Sequence, residues 1–195
     1  ILLDELLDAR VLYATPDWAE QARQLEEQLQ QCDGDVELKM DTLRHFQHAQ
    51  AFRLVAQDLA GMWTVEALSD QLSSLADLVL AATLRHAWLD IPKRHLETPL
   101  FAIIGYGKLG GKELGYASDL DIIFLYDDDH PDAPELYSRL ARKMSTWLTS
   151  TTSHPASRCA SMRALIPPTA PAAAMPISSE NTTPRKPRPP WDTLP

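Results

Sequence analysis

The first part of the chain alternates apolar and polar positions with the period of an α-helix, and it predicts three amphipathic helices packed as a bundle. The Thr-Pro-Asp triplet at 15–17 starts the first helix, and the Asp-Gly-Asp triplet at 33–35 ends it. The second runs from about 36 to 62 with Gly61 as its stop, and Thr64 caps the third. Apolar residues recur along these helices at helical spacing: Trp18, Leu25, Leu29, Val36, Met40, Leu43, Phe46, Leu68, Leu72, Leu75 and Val79.

A break in the helical pattern lies at 91–100, where two prolines lead into a region of different period. Two short apolar runs follow, Phe101 to Ile104 and Ile122 to Tyr126, and their β-branched and aromatic residues predict buried strands. We therefore place a domain boundary here, with a helical bundle over 1–90 and an α+β domain over 91–153.

A last helical period, from Pro134 to about Thr149, precedes an abrupt change in composition. Residues 154–195 hold ten of the fifteen prolines and no glycine, and their arginines and lysines outnumber their acids five to two. Because proline has no backbone N–H and a fixed φ, this segment cannot build a helix or an inner strand. We predict that it is a disordered C-terminal tail.

Composition and charge narrow the classes of function. The 195 residues are 45% hydrophobic and 23% charged, which is typical of a globular protein with one domain or two small ones. The net charge is −9, and because the tail contributes +3, residues 1–153 carry −12. Such an acidic chain is not expected to bind nucleic acid broadly, and no apolar run is long enough to span a membrane.

Cysteine usage and the first residues bear on localisation. Cys32 and Cys159 lie far apart, without the spacing of a metal or redox site, and favour a reducing cytoplasm. The N-terminal segment holds acids and no basic region, so it does not match a signal peptide. A start at Ile1 rather than methionine suggests a fragment of a longer protein.

Several smaller features are interpreted as structural. His45 and His48 lie three apart on the second predicted helix, a spacing that can hold a metal, but no third ligand is near in sequence and packing or solvated histidines are favoured. Trp63 and Trp88, at predicted helix ends, are expected to anchor the core. The acid run at 127–129 lies beyond the second strand and is expected to be a solvated loop.

The stretch that carries chemistry is a glycine-rich turn followed by two aspartates, Asp119 and Asp121, at the start of the second strand. Because a strand has period two, both carboxylates leave the same face, where their like charges call for a cation. Mg²⁺ typically takes one or two carboxylates together with water and substrate phosphate. Glycines let a backbone approach phosphates closely. The stretch therefore predicts a site for a metal–nucleoside triphosphate, with this set of glycines: Gly105, Gly107, Gly110, Gly111 and Gly115.

Other interpretations of the glycines fit less well. The spacing Gly105-x-Gly107-x-x-Gly110 also satisfies the dinucleotide-binding fingerprint, but the interval from Gly110 to Asp119 is too short for a full crossover helix. Lys108 lacks the four-residue spacing of a P-loop. A purely structural alternative remains, in which the glycines make a tight β-turn and the acids are surface residues.

The motif GYGKLGGKELGYASDLDIIFLYD, at 105–127, closely resembles the nucleotidyltransferase motif of the glutamate–ammonia-ligase adenylyltransferase family, which adenylylates glutamine synthetase. Members of that family carry two related nucleotidyltransferase domains, one adding AMP to a tyrosine of glutamine synthetase and one removing it by phosphorolysis. The motif is more similar to the adding, C-terminal half, and the helical segment 1–90 resembles the region that joins the halves. The resemblance covers about residues 1–153.

The resemblance implies a partial DNA-polymerase-β-like nucleotidyltransferase domain after the helical bundle. Asp119 and Asp121 would be catalytic and would hold two Mg²⁺ ions. The implied partners are glutamine synthetase and a PII-type signalling protein in the control of nitrogen assimilation. The residues that would contact ATP, with Lys108 offsetting phosphate charge, are Gly107, Lys108, Gly110, Gly111 and Ser118.

One part of the family pattern has no counterpart here. The family carries a third aspartate on a later strand, soon after the helix that ends near Thr149, and the residues past Ser153 contain no matching segment. The change in composition at the same place suggests an out-of-frame or truncated end, a hypothesis that an intact coding frame through this junction would contradict. Without the third carboxylate we expect little or no transferase activity. The contrasting hypothesis is a non-catalytic helical fragment that docks on glutamine synthetase or a nitrogen-signalling regulator.

Overall fold

The computed structural model describes residues 13–32 and 34–149, together with two short strands at 164–165 and 175–176. Helices precede a small sheet, so the architecture is α+β, as predicted. The elements in chain order are α1 (Trp18–Gln31), α2 (Val36–Leu59), α3 (Val65–Leu89), β1 (Phe101–Gly105), α4 (Gly107–Gly110), β2 (Leu120–Tyr126), α5 (Ala133–Thr149), β3 (Ala164–Leu165) and β4 (Met175–Pro176).

The helix ends follow local capping chemistry. Asp17, within the triplet predicted to start the first helix, caps α1, because its carboxylate accepts the backbone N–H groups of Ala19 and Glu20. Thr64 caps α3 as predicted, since its hydroxyl accepts the N–H of Ala67 at 3.2 Å. Helix α2 ends at Leu59, three residues earlier than predicted, and Gly61 follows with a φ of +74°. The three predicted helices are confirmed.

The two predicted strands pair as an antiparallel hairpin. Phe101 lies opposite Tyr126 at one end of the hairpin, and Gly105 lies opposite Ile122 at the other. Since β1 occupies one edge of β2, the short strands β3 and β4 pair in parallel with its other edge. Strand β4 ends in Pro176. Proline has no backbone N–H to donate to a neighbouring strand, so it is tolerated at the edge of a sheet. The rest of the tail lies outside the described residues, so its predicted disorder stays a prediction.

Tyr137 of α5 is the place where the helices and the sheet meet. Its buried ring stacks on Trp88 of α3 with centroids 5.5 Å apart, on Tyr126 of β2 at 4.8 Å and on Phe101 of β1 at 5.8 Å. The indole of Trp88 donates to the carbonyl of Leu96, so this tryptophan anchors the core as predicted. A single apolar core therefore includes residues on both sides of the predicted domain boundary, and the boundary itself stays a prediction.

Trp63 and a buried ion pair complete the helical contacts. Trp63 is half-buried, and its indole donates to the side chain of Gln57 at 3.2 Å. Lys39 of α2 is buried against Asp90 at the end of α3, with its ammonium 2.8 Å from the carboxylate, and Lys143 of α5 lies 3.3 Å from the same group. Although burial opposes ionisation, these two lysines hold the pKa of Asp90 below its ordinary value.

The acid run after β2 is only partly a solvated loop. Asp127 and Asp129 are exposed, in agreement with the prediction, but the side chain of Asp128 is only 7% exposed. Its carboxylate accepts the hydroxyl of Tyr137 at 2.8 Å and the N–H of His130 at 2.9 Å, and it lies 2.9 Å from Nε2 of His95. The prediction was wrong at this position because donors from distant elements converge on one carboxylate.

Within the described part of the chain, no helix is both long and apolar enough to cross a membrane.

Helix α2 offers a matched pair of leucines that tests the predicted core. Leu54 is fully buried, whereas Leu59 is 84% exposed on the same helix. Leu54→Ala is expected to lower the free energy of unfolding by about 2–5 kcal/mol, because it removes buried methyl groups and leaves a cavity. Leu59→Ala is expected to change it by less than about 0.5 kcal/mol. Urea denaturation followed by circular dichroism measures both, and equal losses would contradict this packing.

Asp128 is expected to make the stability of the protein depend on pH. Burial raises its pKa, but the bonds from His130, Tyr137 and His95 outweigh burial and hold the pKa below its ordinary value. A carboxylate with a lowered pKa in the folded state stabilises the fold above its unfolded pKa, and this contribution is lost as pH falls through the folded value. The stability difference between the wild type and Asp128→Asn should therefore shrink between about pH 5 and pH 2.

Urea midpoints measured at several pH values in this range test the expectation. Asp129→Asn, which removes an exposed acid from the same loop, controls for the loss of one charge. A difference between wild type and Asp128→Asn that stays constant over the range would show that the ionised carboxylate does not stabilise the fold.

Candidate nucleotide site

The glycine-rich turn folds tightly between the two strands of the hairpin. It forms the single turn α4, in which Gly110 N–H donates to the carbonyl of Tyr106 at 3.0 Å and Gly111 N–H to that of Gly107 at 2.9 Å. A Cβ at Gly110 would lie 2.6 Å from the carbonyl oxygen of Gly105. Only glycine allows these two parts of the turn to approach so closely.

Gly107 brings the turn against the carboxylate of Asp121. Its φ is +52°, and a Cβ built on it would lie 2.6 Å from Oδ2 of Asp121. The backbone is tied to the same residue, because Tyr106 N–H donates to the carbonyl of Asp121 at 2.8 Å. The glycine loop and one predicted catalytic carboxylate are thus brought next to each other, and the metal–phosphate site itself stays a prediction.

The two aspartates lie at the start of β2 on its more open side. Along β2 the buried residues alternate with exposed ones, and Asp121 is exposed. Asp119 lies one residue before the strand and is half-buried, while Ser118 and Leu120 on either side of it are buried. This alternation agrees with two carboxylates on one face. Among the described residues, no three histidine, cysteine, aspartate or glutamate side chains gather as a metal site.

Ser118 is placed inside the loop rather than on its surface. The residue is buried, its hydroxyl accepts the N–H of Gly115 at 2.9 Å, and its own N–H donates to the Gly115 carbonyl at 3.1 Å. This pair of bonds closes the turn that leads into Asp119. Ser118 thereby holds the turn in shape, and its predicted contact with the triphosphate stays a prediction.

Lys108 lies within α4 and is exposed, so its ammonium is accessible to a bound anion. The structure brings Lys108, Gly107, Gly110 and Gly111 together in one turn beside Asp121. Whether they contact a nucleotide stays a prediction.

Tyr116 is a residue of the site that the sequence analysis missed. It belongs to the loop before the aspartates, and its hydroxyl donates to the carboxylate of Asp58 near the end of α2 at 3.0 Å. Burial and the neighbouring Asp58 carboxylate both raise the pKa of Tyr116, so it stays a donor. The two residues are 58 positions apart, and no local pattern indicates that they meet.

A cavity of about 420 Å³ lies behind the hairpin, between α3 and β1. Ile103 and Gly105, which line it, lie opposite Phe124 and Ile122 on the buried face of β2, away from the Asp121 side. Most of the lining is apolar. Gly110 and Lys112 of the glycine-rich turn also line this cavity, so it reaches the turn of the candidate site.

His45 and His48 both lie on α2, and within the described part of the chain they belong to no group of three or more possible metal ligands. His45 is exposed, while burial, aided by the charges of His45 and Arg44, lowers the pKa of the half-buried His48. Packing and solvation of these histidines agree with the sequence interpretation.

The comparisons with known proteins agree with the motif. A family model described as glutamate-ammonia ligase adenylyltransferase matches residues 1–164. The chain belongs to this family. A bifunctional glutamine synthetase adenylyltransferase/adenylyl-removing enzyme of Chromobacterium violaceum is 83% identical over 152 residues, which are 78% of this chain and 17% of that protein.

Two further proteins of the same name extend the likeness. The one from Neisseria meningitidis serogroup A is 64% identical over 152 residues, 78% of this chain and 17% of its own length. The one from Ralstonia nicotianae is 56% identical over 151 residues, 77% of this chain and 16% of its own length. The chain thus spans about a sixth of the length of the curated relatives it matches, and the resemblance seen in the sequence is confirmed.

Alanine substitutions at two glycines with positive φ, Gly61 and Gly107, distinguish the stability cost of backbone strain from the cost of displacing Asp121. Gly61 has a φ of +74° and open space around a Cβ, so Gly61→Ala is expected to cost only the left-handed strain, about 1–2 kcal/mol. Gly107→Ala must also displace the carboxylate of Asp121. Because that carboxylate is the end of an exposed side chain that can rotate, the additional cost is expected to be at most about 1.5 kcal/mol. Thermal or urea unfolding measures both variants, and a lower cost for Gly107→Ala than for Gly61→Ala would contradict the contact between the loop and Asp121.

Proposed function

We propose that the hairpin is the catalytic part of a DNA-polymerase-β-like nucleotidyltransferase domain, which transfers AMP from ATP to a tyrosine of glutamine synthetase. The observation that carries this proposal is the contact of the Gly107 backbone with the carboxylate of Asp121. Membership of the family supports it, because the relatives are named glutamine synthetase adenylyltransferases.

The residues of the site fit Mg²⁺ and a triphosphate. Asp119 and Asp121 supply hard oxygen ligands on one side of β2, and Mg²⁺ usually needs no more than two protein carboxylates when phosphate and water complete its shell. When bound, Mg²⁺ ions neutralise phosphate charge and favour in-line displacement. At Gly107 the carboxylate of Asp121 already occupies the place that a Cβ would take, so the backbone of the turn lies close beside this predicted metal ligand.

Each residue of the site then has a distinct task. Asp119 and Asp121 would hold the cations, and Lys108 would offset phosphate charge. Ser118 and Tyr116 keep the loop in place through Gly115 and Asp58. In the reaction the phenolic oxygen of the acceptor forms a bond to the α-phosphorus, pyrophosphate leaves with the electrons of the broken bond, and the phenolic proton passes to water.

Glutamine synthetase and a PII-type signalling protein in the cytoplasm are the partners that we propose for the whole protein. For this chain alone we propose little or no turnover, since the third carboxylate of the family pattern has no matching segment past Ser153. An assay of AMP incorporation into glutamine synthetase with Mg-ATP measures it. Turnover near that of a full-length relative would contradict this expectation.

Binding of Mg-ATP tests the site independently of turnover. Asp121→Asn is expected to weaken Mg-ATP binding by about tenfold or more, because a contact with a charged group is worth about 1.5–3 kcal/mol. Asp129→Asn removes the same charge from an exposed position beyond the strand and is expected to bind as the wild type does. Titration calorimetry with and without Mg²⁺ gives both affinities. Equal binding by the two variants would contradict the assignment of Asp121.

The contrasting function is docking without catalysis. The exposed apolar side chains at the junction of α2 and α3, Leu59 and Val65, are the observation that favours it. Replacing both Asp119 and Asp121 by Asn separates the two functions, because nucleotide binding should vanish while docking through the helices should be unchanged. Binding of the double variant to immobilised glutamine synthetase measures the docking.

A further inference from the structure

Two isoleucines form an apolar surface beside the carboxylates, and we name this pair, Ile104 and Ile123, the acceptor shelf. They lie directly opposite each other in the hairpin, so both side chains leave the same face of the sheet. Ile104 is 38% exposed and Ile123 is 40% exposed. Ile123 lies two residues after Asp121 on β2, so the shelf and that carboxylate share one face.

The sequence neighbours of the shelf show that its exposure is specific to this face. Ile103 and Ile122, one residue away on each strand, face the other way, where Ile122 is only 5% exposed and Ile103 packs against the core. The hairpin therefore turns Ile103 and Ile122 toward the core and leaves Ile104 and Ile123 open on the face of Asp121. The open pair forms a small apolar patch on the same face as Asp121, a place that suits an apolar group of a bound molecule.

The direction of the reaction identifies that occupant. The glycine loop contacts Asp121 from the α4 side, and the proposed function places the outer phosphates of ATP there. In an in-line displacement the attacking oxygen lies opposite the leaving pyrophosphate. The acceptor must therefore approach from the side of Asp121 away from the loop, where β2 continues to Ile123.

The length of the acceptor side chain fits this distance. Two residues along a strand span about 7 Å, because each residue adds roughly 3.3 Å. This is of the order of the length of a tyrosine side chain. A phenolic oxygen beside Asp121 therefore leaves the ring and its Cβ above the shelf.

We infer that the acceptor shelf, Ile104 and Ile123, binds the aromatic ring of the acceptor side chain and thereby positions its hydroxyl at the α-phosphate. This inference rests on the proposed function and names the residues that select an aromatic acceptor over a serine or threonine. The apolar surface suits the face of an aromatic ring, while the shorter side chains of serine and threonine cannot reach Asp121 and contact the shelf together.

Nuclear magnetic resonance on the full chain with isoleucine methyl and backbone amide labels tests the inference without turnover. The probes are Mg²⁺ with α,β-methylene-ATP, which cannot release pyrophosphate, followed by N-acetyl-tyrosinamide. We expect the nucleotide to shift the amide signals of Gly107 and Gly110. The tyrosinamide should then shift the methyl signals of Ile104 and Ile123 through its ring current, and leave those of Ile103 and Ile122 in place. N-acetyl-leucinamide, which has no ring, is the ligand control.

The outcomes separate the inference from the proposed function. Glycine-loop signals that respond to the nucleotide, with no response of the shelf to tyrosinamide, would overturn the shelf and leave the proposed function standing. Shelf methyl signals that respond to the nucleotide alone, with no further change, would assign the shelf to adenine and overturn the inference. No response at either place would contradict both.

A pair of variants gives a second measurement. Ile123→Thr keeps a β-branched residue in the strand and removes part of the apolar surface, and it is expected to raise the dissociation constant of N-acetyl-tyrosinamide severalfold without changing that of the nucleotide. Val65→Thr makes the same kind of change at an exposed position at the start of α3, far along the chain from the hairpin. Equal affinities of both variants for tyrosinamide would overturn the inference.

Discussion

Tyr137 is the residue on which the joining of helices and sheet depends. Its buried ring contacts aromatic rings of α3, β1 and β2, and its hydroxyl donates to Asp128 while accepting the N–H of Leu100 at 3.1 Å. Burial and the Asp128 carboxylate raise its pKa to about 12, so the hydroxyl remains a donor at neutral pH. Because the ring packs against both helix and sheet and the hydroxyl has a donor and an acceptor partner, Tyr137 fixes the position of the sheet against the helices.

The helices contact the region of Asp119 and Asp121 in two places. Behind the hairpin, α3 and α5 contribute an apolar core that buries Ile122 and Phe124 of β2. At the loop, Tyr116 reaches Asp58 of α2, so the helical segment contacts the glycine loop directly. The helices therefore act as a scaffold for the hairpin and for the loop that precedes the aspartates.

The glycine loop shows why so short a motif is specific. Gly110 and Gly107 each occupy a place where a Cβ would lie 2.6 Å from another atom, the Gly105 carbonyl in one case and the Asp121 carboxylate in the other. The glycines and the aspartate are thus requirements of one geometry rather than independent features.

Local features of the protein could be predicted from the sequence, because capping residues, helical spacing and strand period act over a few residues. The helices α1 to α3, the two strands β1 and β2 and the glycine-rich turn between them follow from such patterns. The partners of Asp128, the bond from Tyr116 to Asp58 and the open position of Ile104 beside Ile123 could not be predicted. Each joins residues far apart in the chain, and only the packing of the helices against the sheet brings them together.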